Sequence, residues 1–198
     1  MQVNFENNYQ ELKFLTLPGL FGSNKHHWQS RWEKKFGFQR VEQQNWQSPH
    51  FDSWSDTLIN HLDENQPDNG SILIAHSLGC HLVIKSFPVI ATLVKGVLLV
   101  APPDLQSGYI KQELSSFATT FIRDLNVPGY LIYSENDPYA STTYSIHLGT
   151  NLGLQPISVG YRGHINSDSQ LDNWREGLHY LDSLMKVVNE IDYTSVSN

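Results

Sequence analysis

The sequence of 198 residues holds a single cysteine, Cys80. A lone thiol cannot close a disulfide within the chain, and nothing in the sequence resembles a cysteine-rich zinc site. Grouped positive charge is also missing: 13 Lys and Arg stand against 20 Asp and Glu, for a formal net charge of −7. Nucleic-acid binding relies on clustered cations facing phosphates. The nearest thing to a cluster is Lys34-Lys35, which reads as the solvated face of a helix. No apolar run approaches the roughly 20 residues needed to span a bilayer. The first eleven residues are polar, carry Glu6 and Glu11, and lack the basic start and apolar stretch of a secretory leader. A cytoplasmic protein is therefore expected, with no membrane span and no nucleic-acid partner. There is no internal repeat, low-complexity tract or linker, so one domain over residues 1–198 is expected, long enough to bury a sizeable core.

What is present is an ordinary globular composition, 39% hydrophobic and 17% charged. Six short runs have strand character and end in turn residues: Lys13–Leu17, Phe38–Glu42, Ser71–Ala75, Gly96–Ala101, Gly129–Ser134 and Gln155–Val159. Ile72–Ala75 and Val97–Ala101 are almost continuously apolar, as strands buried on both faces are. Helical spacing separates the runs. Phe51, Trp54, Leu58 and Leu62 recur at steps of three and four, as do Leu171, Trp174, Leu178, Leu181, Leu184, Met185 and Val188. Asp52 and Asp172 stand near the expected helix starts. Alternating strand and helix predicts an α/β fold, a mostly parallel sheet of about six strands with helices on both faces in three layers. The stretch 104–126 exceeds a simple connection and could form a small cap. The polar tail 189–198 is expected to fray.

The most informative stretch is Ile72 to Ile84. An apolar strand runs into Ala75-His76-Ser77-Leu78-Gly79, and an amphipathic helix follows. This small–X–Ser–X–Gly string between strand and helix has the context of a nucleophile elbow, whose serine sits on a strained turn with its hydroxyl projecting from the sheet. Residues two before and two after must be small, because strand and helix pass close together; Ala75 and Gly79 meet this. The bland alternative is an ordinary turn in which Ser77 merely caps the helix. As a nucleophile turn, it would aim the Leu78 N–H at a developing oxyanion from the helix N-terminus.

A second oxyanion donor should come from the loop after an early strand. Leu17-Pro18-Gly19-Leu20-Phe21-Gly22 follows the first strand, and the Leu20 N–H is the candidate, with Gly19 allowing the tight turn. Among nine histidines, His61, His147 and His179 fall in expected helices, while His76 and His81 flank the elbow in the wrong place to take the Ser77 proton. His164 lies just past the last strand in Gly160-Tyr161-Arg162-Gly163-His164, where two glycines free the loop. The acid should end the preceding strand, which points to Asp137, with Glu135 and Asp104 as weaker competitors. The chain order Ser77, Asp137, His164 is that of the α/β-hydrolases.

Over Leu17 to about Leu181 the chain resembles the family of small serine hydrolases that includes retinoblastoma-binding protein 9 and its bacterial relatives. The resemblance rests on Pro18-Gly19, His27-Trp28, Trp32, Asn45-Trp46, the segments 75–79, 134–138 and 163–166, Ala101-Pro102, and Trp174. It implies a minimal α/β-hydrolase core and a Ser77–Asp137–His164 triad. The expected reaction is hydrolysis of a carboxylic ester or related acyl bond of a small substrate through an acyl-enzyme on Ser77, with no metal and no organic cofactor. Gly19, Phe21, Trp28, His76 and Tyr139 are candidate substrate contacts, whereas Trp32, Trp54 and Trp174 are expected to pack in the core. The competing readings are a binding protein on a hydrolase fold, without useful turnover, and an acyltransferase.

Overall fold

The computed structural model describes residues 12–64, 70–107, 112–118 and 123–196. Six strands form one parallel sheet: β1 (Lys13–Leu17), β2 (Gln39–Arg40), β3 (Ser71–His76), β4 (Val94–Val100), β5 (Gly129–Tyr133) and β6 (Gln155–Ser158), in the order β2-β1-β3-β4-β5-β6. Among the described residues five α-helices connect or follow them: α1 (Trp28–Phe36), α2 (Phe51–Glu64), α3 (Leu78–Ile90), α4 (Thr142–Asn151) and α5 (Arg175–Val196).

Successive strand residues point to opposite faces, and the core divides accordingly. Leu15, Leu17, Leu73, Ala75, Val97, Leu99 and Leu131 pack with Trp54, Leu58 and Leu62 of α2, with α3, and with Leu148 of α4. Phe14, Ile72, Ile74, Leu98, Val100 and Ile132 pack on the other face with Trp28 and Trp32 of α1 and with Leu178, Leu181, Leu184, Met185 and Val188 of α5. The three expected layers result, and Trp32, Trp54 and Trp174 are buried as expected.

Some boundaries differ from the sequence expectation. The run Phe38–Glu42 pairs only at Gln39 and Arg40, on the edge of the sheet, and Arg40 is drawn into a 2.8 Å ion pair with Glu33. The last helix starts at Arg175 rather than Leu171, because Asp172 and Trp174 have positive φ (51° and 35°), outside the helical region. Asp172 consequently does not stand at the helix start; it pairs with Arg31 at 3.2 Å. The same helix continues through the polar stretch after Val188 to Val196. Of the expected cap, 108–111 and 119–122 lie outside the described residues; Gln112–Phe117 forms a 3₁₀ helix, with Phe117 buried. Residues 1–11 and 197–198 also lie outside. No helix among the described residues is long and apolar enough to cross a membrane.

The strand order locates the site. From β1 the chain steps outward to β2 and then returns past β1 to β3, so α1 and α3 lie on opposite faces. The loops at the carboxyl ends of β1 and β3 therefore diverge and leave a crevice, the usual ligand position in an open parallel sheet. Gly79 fixes how closely the two chains approach there. A Cβ at position 79 would lie 2.2 Å from the Leu17 carbonyl oxygen and 2.8 Å from that of Pro18. Gly79→Ala is therefore expected to lower stability by about 1–3 kcal/mol, read as a fall in the urea midpoint at unchanged slope.

Candidate active site

Ser77 joins β3 to α3 with φ 55° and ψ −125°, a conformation that costs a non-glycine residue about 1–3 kcal/mol. Neighbouring bonds hold it: the Ser77 N–H donates to the Val100 carbonyl at 2.9 Å, and the Ser77 carbonyl accepts from Cys80 at 2.9 Å. The side chain makes no capping bond to α3, so the bland reading of Ser77 as a helix cap does not apply. Its Oγ lies 2.9 Å from His164 Nε2. The loop after β1 passes directly against this turn. A Cβ on Gly19 would sit 2.7 Å from Ser77 Cβ and 3.0 Å from both Ser77 Oγ and the Leu78 nitrogen. Glycine at 19 thus allows this loop to lie against Ser77 and the Leu78 nitrogen.

His164 Nδ1 lies 2.9 and 3.0 Å from the two carboxylate oxygens of Asp137. An ionised carboxylate only accepts, so Nδ1 carries the proton and Nε2 is left to accept from the Ser77 hydroxyl. Both side chains are largely buried. Asp137 is itself oriented by the Tyr139 N–H, 2.9 Å from Oδ1. The competing acids are engaged elsewhere: Glu135 accepts from Ser158 Oγ at 2.8 Å, and Asp104 accepts from the Gln106 N–H at 3.0 Å.

The loop carrying His164 is held peptide by peptide. Arg162 N–H donates to Ser134 Oγ and Gly163 N–H to Asn136 Oδ1, both at 2.8 Å. The His164 carbonyl lies 2.9 Å from His76 Nε2, and the Ile165 carbonyl accepts from Trp28 Nε1 at 2.8 Å. Gly160 and Gly163, with φ of 67° and 57°, let the chain turn between these anchors. Ser134, Asn136 and the indole of Trp28 were not singled out for this role, because their partners are far away in sequence and backbone atoms carry no sequence signal.

Around Ser77 opens a cavity of about 410 Å³. Leu20, Phe21, Leu78, Pro103, Leu114 and Tyr139 form its apolar part; Asn24, His27, His76, Asn166, Ser167 and Asp168 form its polar part. Of the expected contacts, Phe21, His76 and Tyr139 line it, and Gly19 touches Ser77. Trp28 is a correction: it does not line the cavity but is buried among Trp32, Trp174 and His27. An indole within α1 on a sheet face has apolar surface to bury and a distant carbonyl for its N–H, which together keep it out of solvent. Leu114, Asn24 and His27 join the cavity without having been expected there. Among the described residues no group of three or more His, Cys, Asp or Glu side chains is placed to hold a metal ion.

Burial sets the charge state of the surrounding groups. His27 is pushed down to about 3, first by desolvation and then by Arg40 and His164. His76 is held well below the ordinary histidine range by desolvation, with His27 and His164 adding to it. His81 is lowered to about 4 by desolvation, against the bond from its ring to the Pro103 carbonyl at 2.7 Å. Burial raises the Cys80 thiol, so it is no nucleophile at neutral pH.

The sequence profile of the family described as serine hydrolase matches residues 14–183. No curated protein sequence matches the chain. Among solved structures, one described as a YdeN-like hydrolase from Pectobacterium atrosepticum is 29% identical with a TM-score of 0.80, over 90% of this chain and 93% of that one. The ydeN gene product of Bacillus subtilis is 21% identical with a TM-score of 0.74, over 89% and 99%. Carboxylesterase CesB of Bacillus subtilis shares the fold at 12% identity and a TM-score of 0.59, over 87% and 84%.

The buried histidines make stability depend on acid. Each has a folded pKa below its unfolded value, so the unfolded chain binds protons first. Stability is then full above about pH 6.5 and falls toward pH 4, by about 1.4 kcal/mol per pH unit for each such histidine. Urea unfolding between about pH 7 and about pH 4.5 should show this slope, reduced by the share of one histidine in His81→Gln.

Proposed function

The chain belongs to the serine hydrolase family, and from that premise we propose that Ser77, His164 and Asp137 are its catalytic triad, hydrolysing a carboxylic ester of a small substrate. The observation that carries the reading is the pair of contacts made by one imidazole, 2.9 Å to the Ser77 hydroxyl on one side and 2.9 Å to the Asp137 carboxylate on the other. His164 removes the hydroxyl proton as Ser77 attacks the carbonyl carbon. Asp137 keeps the imidazole in the tautomer that can accept, and stabilises the imidazolium once formed. The backbone N–H groups of Leu20 and Leu78 hold the oxyanion. His164 then gives its proton to the departing alcohol, and water releases the acyl group by the same steps.

The ester preference draws support from the cavity, whose apolar walls at Leu20, Leu78 and Leu114 suit a short acyl chain. A carboxylesterase among the structural neighbours is in keeping with it. The finer family placement beside retinoblastoma-binding protein 9 belongs to the same proposal, as does a single domain over 1–198 with a small cap drawn from 104–126.

A fluorophosphonate probe tests the nucleophile directly. The wild-type protein should be labelled, Ser77→Ala should not, and labelling elsewhere in that variant would overturn the assignment. On p-nitrophenyl esters of increasing acyl length, Asp137→Asn should lower kcat by roughly 10⁴-fold, and activity should decline beyond short acyl groups. Loss at Glu135→Gln instead of Asp137→Asn would move the acid.

A further inference from the structure

His76 is the last residue of β3 and the immediate neighbour of Ser77. Its ring Nε2 lies 2.9 Å from the backbone oxygen of His164. A carbonyl only accepts, so Nε2 is the protonated nitrogen and the bond runs from the imidazole to the peptide of the residue read above as the base. The His76 ring also stands behind the His164 ring, with centroids 5.0 Å apart. On its other sides are His27 at 4.7 Å and Trp28 at 6.1 Å, both edge-on. The residue is buried, 5% exposed.

We propose that His76 is a positioning residue for His164, anchoring its backbone carbonyl through Nε2–H and backing its ring, so that the imidazole stays in register with the Ser77 hydroxyl. The inference rests on the reading of Ser77 and His164 as nucleophile and base. Its force lies in the short lever. Residues 76 and 77 share one peptide, so the segment that sets the hydroxyl also grips the residue that must take its proton. The elbow and the base loop come from elements 88 positions apart in the chain; this bond makes them move together. The neutral state of His76 follows from its burial and the nearby His27 and His164. With Nε2 donating to a carbonyl, that nitrogen is not free to take the Ser77 proton.

Two substitutions separate positioning from packing. His76→Phe keeps a ring and removes the donor; His76→Gln restores an amide N–H close to the position of Nε2. Each is measured against wild type for the rate of fluorophosphonate labelling, for kcat and KM on p-nitrophenyl acetate, and for thermal midpoint. Phe is expected to lower the labelling rate and kcat by roughly ten- to a hundredfold, the scale of a misplaced catalytic group, with KM within about twofold. Gln is expected to recover most of the loss. If the Phe variant does not fold, His76→Asn, whose amide stops short of the carbonyl, carries the same expectation. Wild-type labelling in a folded Phe or Asn variant overturns the inference, and so does a loss that Gln does not recover while the thermal midpoint falls in parallel. If wild type itself neither labels nor turns over, the nucleophile reading fails. The NMR signal of the His164 Nδ1 proton then decides the positioning question alone. Loss of that signal in Phe with return in Gln upholds it, and an unchanged signal in Phe overturns it.

Discussion

The structure depends on a close approach between two chain segments at the carboxyl ends of β1 and β3. Gly79 lets the first turn of α3 lie against the Leu17 and Pro18 carbonyls, where any side chain would collide with backbone. Gly19 lets the returning loop lie against Ser77 itself. Backbone cannot yield as a flexible side chain does, so these two contacts leave little freedom in how the elbow faces the loop. The strained conformation of Ser77 is a product of this packing. It persists because β4, through the Val100 carbonyl, and α3, through Cys80, tie both of its peptides.

A second constraint follows from the first. With the hydroxyl held in place, the His164 imidazole proposed to take its proton must be brought to it on a loop with no regular structure. The molecule does this with side chains from several elements. Ser134 and Asn136 at the end of β5 take the amides of 162 and 163, and His76 and Trp28 take the carbonyls of 164 and 165. The loop is thus anchored by side chains at successive peptides without pairing as a strand. The indole of Trp28 has a part in this that is structural rather than substrate-facing, and it accounts for a large apolar side chain lying next to the site yet out of contact with the cavity.

Around the proposed triad the protein keeps several imidazoles neutral. His27, His76 and His81 are buried with lowered proton affinity, so these rings add no positive charge beside His164. Neutral neighbours suit an acyl-transfer site, because a permanent cation beside His164 would oppose the imidazolium that the proposed mechanism forms.

Much of the fold was legible in residue patterns, for identifiable reasons. Strands such as Ile72–Ala75 and Val97–Val100 are buried on both faces, so their apolar runs are nearly unbroken, and the helix at Phe51–Glu64 keeps one clean stripe. The elbow was legible because its steric demands, small residues on either side of Ser77, fall within five consecutive positions. Legibility failed where the outcome depended on distant partners. Residues 38–42 have strand composition, yet only two pair at the sheet edge. Asp172 looks like a helix start, but the chain turns left-handed at Trp174. Which of three carboxylates meets the imidazole is a matter of loop geometry, since Glu135 and Asp137 differ by two positions and face different partners. The amino-acid order by itself determined the alternation of elements, the place of the serine turn and the candidates for acid and base, because local sterics and periodicity act between near neighbours. Tertiary structure alone decided that Trp28 and His76 turn their ring N–H groups to the loop of His164, because a bond across 88 or 137 positions exists only once the sheet has brought its ends together.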